Sequence, residues 1–297
     1  MTQTCPLCHN LQSELFDTLK VDKRAIEYRL CSRCGMVYQG VEWKKDQLTD
    51  FYANDYRKLV EGEDLVSEKN RAIEETRARL LVKWLKAQGV NSPKRHMDIG
   101  ASTGALINRV KREFGADVQG IELSNSHRAF AESRGLPMLP SLEVLEAQGA
   151  GRFDLISLIH VLEHLPEPVQ ALTELREKWF TPGGALLLEV PNLYIHNSYE
   201  IAHLHAFSQH TLLETLRLAG YRVDALRVHG QPRSNVLGLY ITVLARPAAA
   251  PQDQTVRPES NVRLKRRLGM ARRRLIERML PGQAWLPFPT LPTDETE

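Results

Sequence analysis

The sequence predicts an α/β protein built on a doubly wound, mostly parallel sheet, with a small cysteine-rich unit in front of it. Three observations carry the prediction. Short apolar runs alternate with amphipathic segments over residues 93–247, a glycine-lined bend follows the first run, and two C-x₂-C pairs lie near the N-terminus.

The apolar runs are His96–Ile99, Val118–Leu123, Phe153–Ile159, Ala185–Val190, Tyr221–Val228 and Leu237–Leu244. Helix-length segments separate all but the last two, which are expected to pair as an antiparallel hairpin at the sheet edge. The first turn reads Met97-Asp-Ile-Gly100-Ala-Ser102-Thr-Gly104-Ala105, small residues where a strand hands over to a helix and backbone N–H groups can meet a ligand. Gly100 and Gly104 permit close approach. Ser102 stands where a dinucleotide fingerprint has its second glycine, which argues against a dehydrogenase, and Asp98 suits a cationic ligand better than a diphosphate. Glu122 lies at the distance where an acid receives the ribose hydroxyls of an adenosine-containing cofactor, a feature common to several cofactor classes.

Cys5-Pro-Leu-Cys8 and Cys31-Ser-Arg-Cys34 offer four thiolates to one tetrahedral zinc, with Gly35 supplying the positive φ that a knuckle needs. Four sulfur ligands leave no open position, so the expected Zn²⁺ is structural. The alternative, a pair of disulfides, fits the spacing less well. These are the chain's only cysteines, which suits a reducing compartment. The zinc unit is placed at residues 1–45 and includes an alternating strand, Ile26–Leu30. Residues 46–92 read as a connector whose Ile73, Leu80, Leu81, Trp84 and Leu85 recur at helical spacing; Phe51, Tyr52 and Tyr56 either pack or form a lid over the cofactor.

Residues 262–280 hold eight Lys or Arg against one acid, a net +7, leaving −4 for the rest of a chain whose total is +3. A mildly acidic body speaks against a nucleic-acid surface on the catalytic part. Leu264, Leu268, Ala271, Leu275 and Met279 recur at three- or four-residue spacings or their multiples, so residues 248–297 are read as a linker, a basic amphipathic helix and a Pro-rich tail. That helix can lie on an anionic membrane or partner; a solvated extension is the other reading. No basic-apolar leader precedes Cys5, and the longest apolar stretch, Val236–Ala245, falls far short of a membrane span. The expectation is a cytoplasmic protein, peripheral on the inner membrane face if the helix binds there.

Taken together, Asp98-x-Gly100-x-Ser102-x-Gly104, Gly120-Ile-Glu122-Leu123-Ser124, Phe153-Asp154, His160-Val-Leu-Glu163-His164 and Pro182-Gly-Gly resemble the ordered motifs of class I S-adenosylmethionine-dependent methyltransferases, over roughly Lys94–Arg246. The Cys₄ unit is similar to the zinc-binding domain of bacterial methyltransferases acting on deoxysugars and surface-glycan sugars, as is His203-Leu-His205-Ala-Phe-Ser208 to the His-rich stretch of that group. The resemblance implies a Rossmann-like sheet, with Asp98, Gly100, Ser102 and Gly104 around the methionine end of the cofactor. It also implies Glu122 at the ribose, with Leu123 among the cofactor-binding residues, Ser141 and Leu142 near the adenine, and His160 facing the methyl group.

A sulfonium methyl is already electrophilic, so the enzyme has to align a nucleophile and accept a proton. Six of ten histidines (160, 164, 196, 203, 205 and 210) fall where the C-terminal rim of the sheet is expected. His160 or His205 is the expected base, with Glu163 orienting a neighbour and His164 and His203 nearby. His160-x-x-Glu163-His164 also resembles, with His for the first Glu, the metal-binding Glu-x-x-Glu-His of small-RNA and quinone O-methyltransferases; the imidazole disfavours Mg²⁺. The expected acceptor is a sugar, sugar nucleotide or lipid-linked glycan. An RNA methyltransferase and a non-catalytic cofactor-binding scaffold are the alternatives, and nothing in the sequence specifies the oligomeric state.

Overall fold

The computed structural model describes residues 4–21, 24–41, 66–197, 199, 201–250 and 253–291. Phe51, Tyr52 and Tyr56 lie outside the described residues.

The chain opens with strands β1 (Ser13–Val21), β2 (Arg24–Cys31) and β3 (Val37–Gln39), antiparallel in sequence order. Helix α1 (Glu68–Ala87), capped by the Ser67 hydroxyl, leads into the main sheet. Its strands are β4 (Arg95–Ile99), β5 (Asp117–Ile121), β6 (Met138–Leu139), β7 (Phe153–Ile159), β8 (Phe180–Pro191), β10 (Tyr221–His229) and β11 (Tyr240–Pro247). The order across the sheet is β10-β11-β8-β7-β4-β5-β6, parallel from β8 to β6. The last two strands do form the expected antiparallel hairpin, with β11 inserted between β8 and β10 and antiparallel to both. The chain passes from β6 at one edge back to β7 on the other side of β4, so the strand order reverses at the C-terminal ends of β4 and β7, where such sheets bind ligands.

Strand alternation sets the two faces. Leu155, Ala185, Leu187 and Leu244 pack with Leu81, Val82 and Leu85 of α1 and Leu106 and Val110 of α2 (Ala105–Phe114). Ile156, Leu186, Leu188, Ile241 and Val243 pack on the other face against α5 (Pro168–Lys178) and α6 (Gln209–Leu218) through Leu172, Leu175, Leu212 and Leu216. Helices α3 (Asn125–Ser133) and α4 (Leu142–Ala147) follow β5 and β6, and Ser124, Ser141 and Ser208 cap α3, α4 and α6.

A two-residue strand, β9 (His205–Ala206), pairs with β3, so the N-terminal sheet runs β1-β2-β3-β9 and is stitched to the main unit. Residues 253–261 then cross the body: Arg217 binds the Thr255 carbonyl at 2.6 Å, and Glu259 N–H donates to the Cys34 carbonyl at 3.0 Å. A side chain at Gly35 (φ 80°) would put its Cβ 2.6 Å from the Glu259 carbonyl, so Gly35 allows both the knuckle and this crossing. The basic segment forms helix α7 (Val262–Met279), docked on the body rather than solvated, and α8 (Pro281–Ala284) follows. Among the described residues no helix is long and apolar enough to cross a membrane.

Candidate active site

The bend after β4 is built from left-handed backbone. Gly100, Ser102 and Gly104 have φ of 74°, 49° and 78°, and a Cβ at Gly100 would sit 2.5 Å from the Val161 side chain. Helix α2 starts at Gly104 with no side-chain cap, so its first N–H groups face the crevice with a positive helix end. Ser102, the non-glycine position, is held from outside: its Oγ donates to Glu74 Oε1 of α1 at 2.8 Å, and the Thr103 hydroxyl donates to the other oxygen of that carboxylate.

Asp98 is buried in β4 and accepts from Ser157 Oγ of β7 at 2.5 Å; Ser157 Oγ is in turn 2.7 Å from His96 Nε2. Since the serine hydrogen goes to Asp98, His96 Nε2 is the donor and His96 is neutral, as burial, which pushes it down to about 3, requires. Burial also raises Asp98 to about 7, helped by the Glu122 and Glu74 charges and opposed by the Ser157 bond. Glu122 lies just past β5, which stops at Ile121; its oxygens accept the Ser102 and Ser124 N–H groups, each at 2.8 Å, which fixes the carboxylate at the rim. Leu123 beside it is exposed, and Ser141 and Leu142, half-buried, begin α4 two residues after β6. Asp98, Glu122 and Ser141 thus follow one another along the C-terminal ends of β4, β5 and β6.

The acceptor side centres on His160, which directly follows β7 at φ 56° with its N–H on the Glu189 carbonyl. Its ring lies between two buried carboxylates, Nδ1 3.4 Å from Glu163 Oε1 and Nε2 3.3 Å from Glu189 Oε1. Burial and the Arg77 charge press the imidazole down, and the two carboxylates outweigh them, so its pKa is raised. Glu189, fully buried on β8, also accepts from Thr242 Oγ1 at 2.7 Å and meets His229 Nε2 at 3.2 Å and Arg77 Nε of α1 at 3.4 Å. Burial raises Glu189, but these histidines and Arg77 hold it well below the usual carboxylate range.

Glu163 and His164 lie on a short 3₁₀ turn, Leu162–His164. Glu163 is 1% exposed, and neither carboxylate oxygen has a hydrogen-bond partner among the described residues. One oxygen of Glu163 and one nitrogen each from His164 and His203 lie within 4.8 Å of one another. His164 Nδ1–H donates to the Ala202 carbonyl at 2.9 Å, putting its lone pair on Nε2. This buried carboxylate, ion-paired to His160 through one oxygen, lies beside two imidazoles, a donor set that could hold a divalent ion, with nitrogen-rich chemistry closer to Zn²⁺ or Fe²⁺ than to Mg²⁺.

His205 is buried on β9, donates Nε2–H to the Leu165 carbonyl at 2.8 Å, and is lowered by burial to about 4. His196 stacks near Tyr240, which also flanks His160 and His229. His210 is not brought to this cluster; it begins α6 and pairs with the Arg257 carbonyl. Sequence reasoning did not single out Glu74, Arg77, Glu189, His229 or Thr242. No local signal marks Glu74 and Arg77, since their helix also carries Glu68, Lys69, Arg71, Glu75, Arg79, Lys83 and Lys86.

All four cysteines are buried, with Cys5 Sγ 3.5 Å from Cys34 Sγ and Cys8 Sγ 3.5 Å from Cys31 Sγ. These distances are far above the roughly 2.05 Å of a disulfide and near the roughly 3.8 Å between sulfurs on a tetrahedral zinc. The residues therefore fit Zn²⁺. The same unit supports the histidines: Tyr28 Oη donates to the His203 carbonyl at 2.6 Å, and Gln39 Nε2 to the Ile201 and His203 carbonyls at 2.9 and 3.0 Å.

A family profile described as a methyltransferase domain matches residues 68–226. Ubiquinone biosynthesis O-methyltransferase of Paraburkholderia phymatum is 29% identical over 118 residues, 37% of this chain and 50% of that protein. The protein of the same name from Psychrobacter cryohalolentis is 33% identical over 109 residues, 33% of this chain and 41% of the relative. This chain thus spans half or less of the length of these curated relatives. The crystal structure of Burkholderia thailandensis 1,6-didemethyltoxoflavin-N1-methyltransferase, with bound 1,6-didemethyltoxoflavin and S-adenosylhomocysteine, shares the fold at a TM-score of 0.54 and 18% identity, covering 78% of this chain and 99% of its own. The crevice at the reversal of strand order and a profile spanning more than half of the chain agree, and this protein belongs to the methyltransferase-domain family.

Proposed function

We propose that the chain transfers a methyl group from S-adenosylmethionine to a hydroxyl of a small-molecule acceptor, a sugar, sugar nucleotide or lipid-linked glycan. The observation that carries this reading is the placement of His160, between Glu163 and Glu189, beside the left-handed bend at Gly100, with Val161 against that glycine. When bound, S-adenosylmethionine supplies an electrophilic methyl group on a sulfonium. Asp98, Gly100, Ser102 and Gly104 would hold its methionine end, Glu122 its ribose hydroxyls, and Ser141 and Leu142 its adenine.

His160 then accepts the acceptor's proton. Nε2 is buried against Glu189, so the proton enters at Nδ1, and the two carboxylates stabilise the imidazolium that forms. His205 spends its one N–H on Leu165 and serves the β3–β9 joint. The Cys₄ cluster holds a structural zinc that keeps Tyr28 and Gln39 against the His203 segment.

The sugar class rests on the likeness of the zinc unit to deoxysugar and surface-glycan enzymes. The identity to quinone O-methyltransferases favours a second reading, a phenolic hydroxyl, on the same machinery. Zinc-loaded protein incubated with labelled S-adenosylmethionine and separate nucleotide-sugar, glycan-lipid and quinol pools tests both: a product one methylene heavier is expected from the sugar or glycan pool. Methylation of the quinol pool alone would replace the first reading with the second, and no labelled product from any pool would overturn both.

A further inference from the structure

Helix α7 has two faces of different purpose. At 100° per residue, Val262, Arg266, Gly269 and Arg273 share one side, and they are the residues that dock. Val262 is buried, and Arg266 donates to the Leu193 and His196 carbonyls, the latter at 2.7 Å. Arg273 donates to the Ile195 carbonyl at 2.9 Å, and Gly269 lies against Tyr194, where a Cβ would collide with the Tyr194 carbonyl. These contacts anchor the helix to the 192–197 loop that carries His196 toward Tyr240 and His160.

The opposite side is an exposed apolar stripe with no apolar partner among the described residues. Leu264, Leu268, Leu275 and Met279 are 54%, 62%, 61% and 69% exposed and, with exposed Ala271, fall within about 80° of the helix circumference. Of the thirteen exposed large hydrophobic residues among those described, seven lie between Leu264 and Phe288, so this concentration exceeds the scattered apolar surface any protein shows. Exposed Arg267, Arg274 and Arg278 border the stripe on one side and Lys265 and Arg272 on the other. Among the described residues none of the four arginines has an acidic partner.

We infer that this face of α7 docks on an anionic lipid bilayer, with the leucines entering the headgroup boundary and the flanking arginines meeting lipid phosphates. Charge decides between a bilayer and a second copy of the chain. Exposed Arg267, Arg272, Arg274 and Arg278 give the borders of this stripe a uniformly positive charge, and a two-fold pairing of this face would set those charges against themselves, whereas an anionic leaflet neutralises them. An apolar centre with basic flanks is the arrangement that lies in a bilayer interface; a nucleic-acid groove would place its cations centrally. Docking here places α7 between the bilayer and the 192–197 loop to which its other side is anchored. The inference stands apart from the identity of the acceptor.

The test uses the full chain and vesicles of phosphatidylcholine, alone or with about one third phosphatidylglycerol. Co-flotation is expected to rise at least about tenfold with the anionic lipid and to fall about as far when salt shortens the screening length. Leu264→Asp with Leu268→Asp and Leu275→Asp, all solvent-facing, is expected to abolish flotation while leaving the circular dichroism spectrum and the binding of S-adenosylhomocysteine unchanged. Equal flotation by the triple variant, equal binding to neutral vesicles, or a concentration-dependent dimer that these substitutions dissolve would overturn the inference. Flotation is read with no acceptor present, so its failure is separate from failure of the methyl-transfer reading.

Discussion

Ser102 donates its hydroxyl to Glu74 at 2.8 Å, so the one non-glycine residue of the bend with a left-handed backbone is also where helix α1 is fastened to the cofactor crevice. The left-handed backbone of Ser102 is therefore secured by a residue 28 positions away, and α1 becomes part of the site wall.

Glu74→Ala is expected to weaken S-adenosylhomocysteine binding about five- to tenfold, the loss of one to two charge-assisted hydrogen bonds, and to speed hydrogen exchange in residues 68–87. Glu74→Gln, which keeps an acceptor, recovers part of the affinity. Calorimetry checks the first effect; unchanged binding in Glu74→Ala would show that α1 does not support the crevice.

Asp98 carries a folded-state pKa raised from 3.8 to about 7, so the folded chain holds a proton that the unfolded chain releases. Its contribution to stability is therefore greatest below 3.8 and declines as pH climbs to about 7, on the order of a few kcal/mol. A cationic ligand favours the carboxylate, so binding should tighten as pH rises through that window and release a proton. Calorimetry in buffers of different ionisation enthalpy reads the proton directly, and Asp98→Asn should silence it.

Only neutral His160 accepts a proton, and its raised pKa means that turnover should climb with pH through a midpoint above 6.5. Glu189→Gln removes one carboxylate that favours the imidazolium, so the midpoint should move to lower pH while the plateau falls roughly tenfold. A lower rate at an unmoved midpoint would mean that Glu189 only packs.

Zinc removal should act at a distance. Chelation, or Cys34→Ser, loosens the sheet whose Tyr28 and Gln39 hold the His203 carbonyl, so turnover is expected to fall more than about tenfold. The cofactor crevice lies along β4, β5 and β6, beyond that sheet, and binding of S-adenosylhomocysteine should change less than about twofold. Parallel loss of both would show global unfolding instead.

Local physics made much of this protein readable in one dimension. The short apolar runs marked the strands, Gly100 and Gly104 the left-handed bend, and each C-x₂-C pair a two-thiolate knuckle, because each depends on residues a few positions apart. Tertiary structure alone decided the rest. The two-residue strands β6 and β9 are too short to leave a periodic trace, and Tyr28 meets His203 across 175 positions. Glu189 read as one polar residue in an apolar run; only the neighbouring strands and α1 bring His160, His229, Thr242 and Arg77 to it. A buried charge is tolerated where partners converge in space, and that convergence is set by which strands adjoin, a property no single segment encodes.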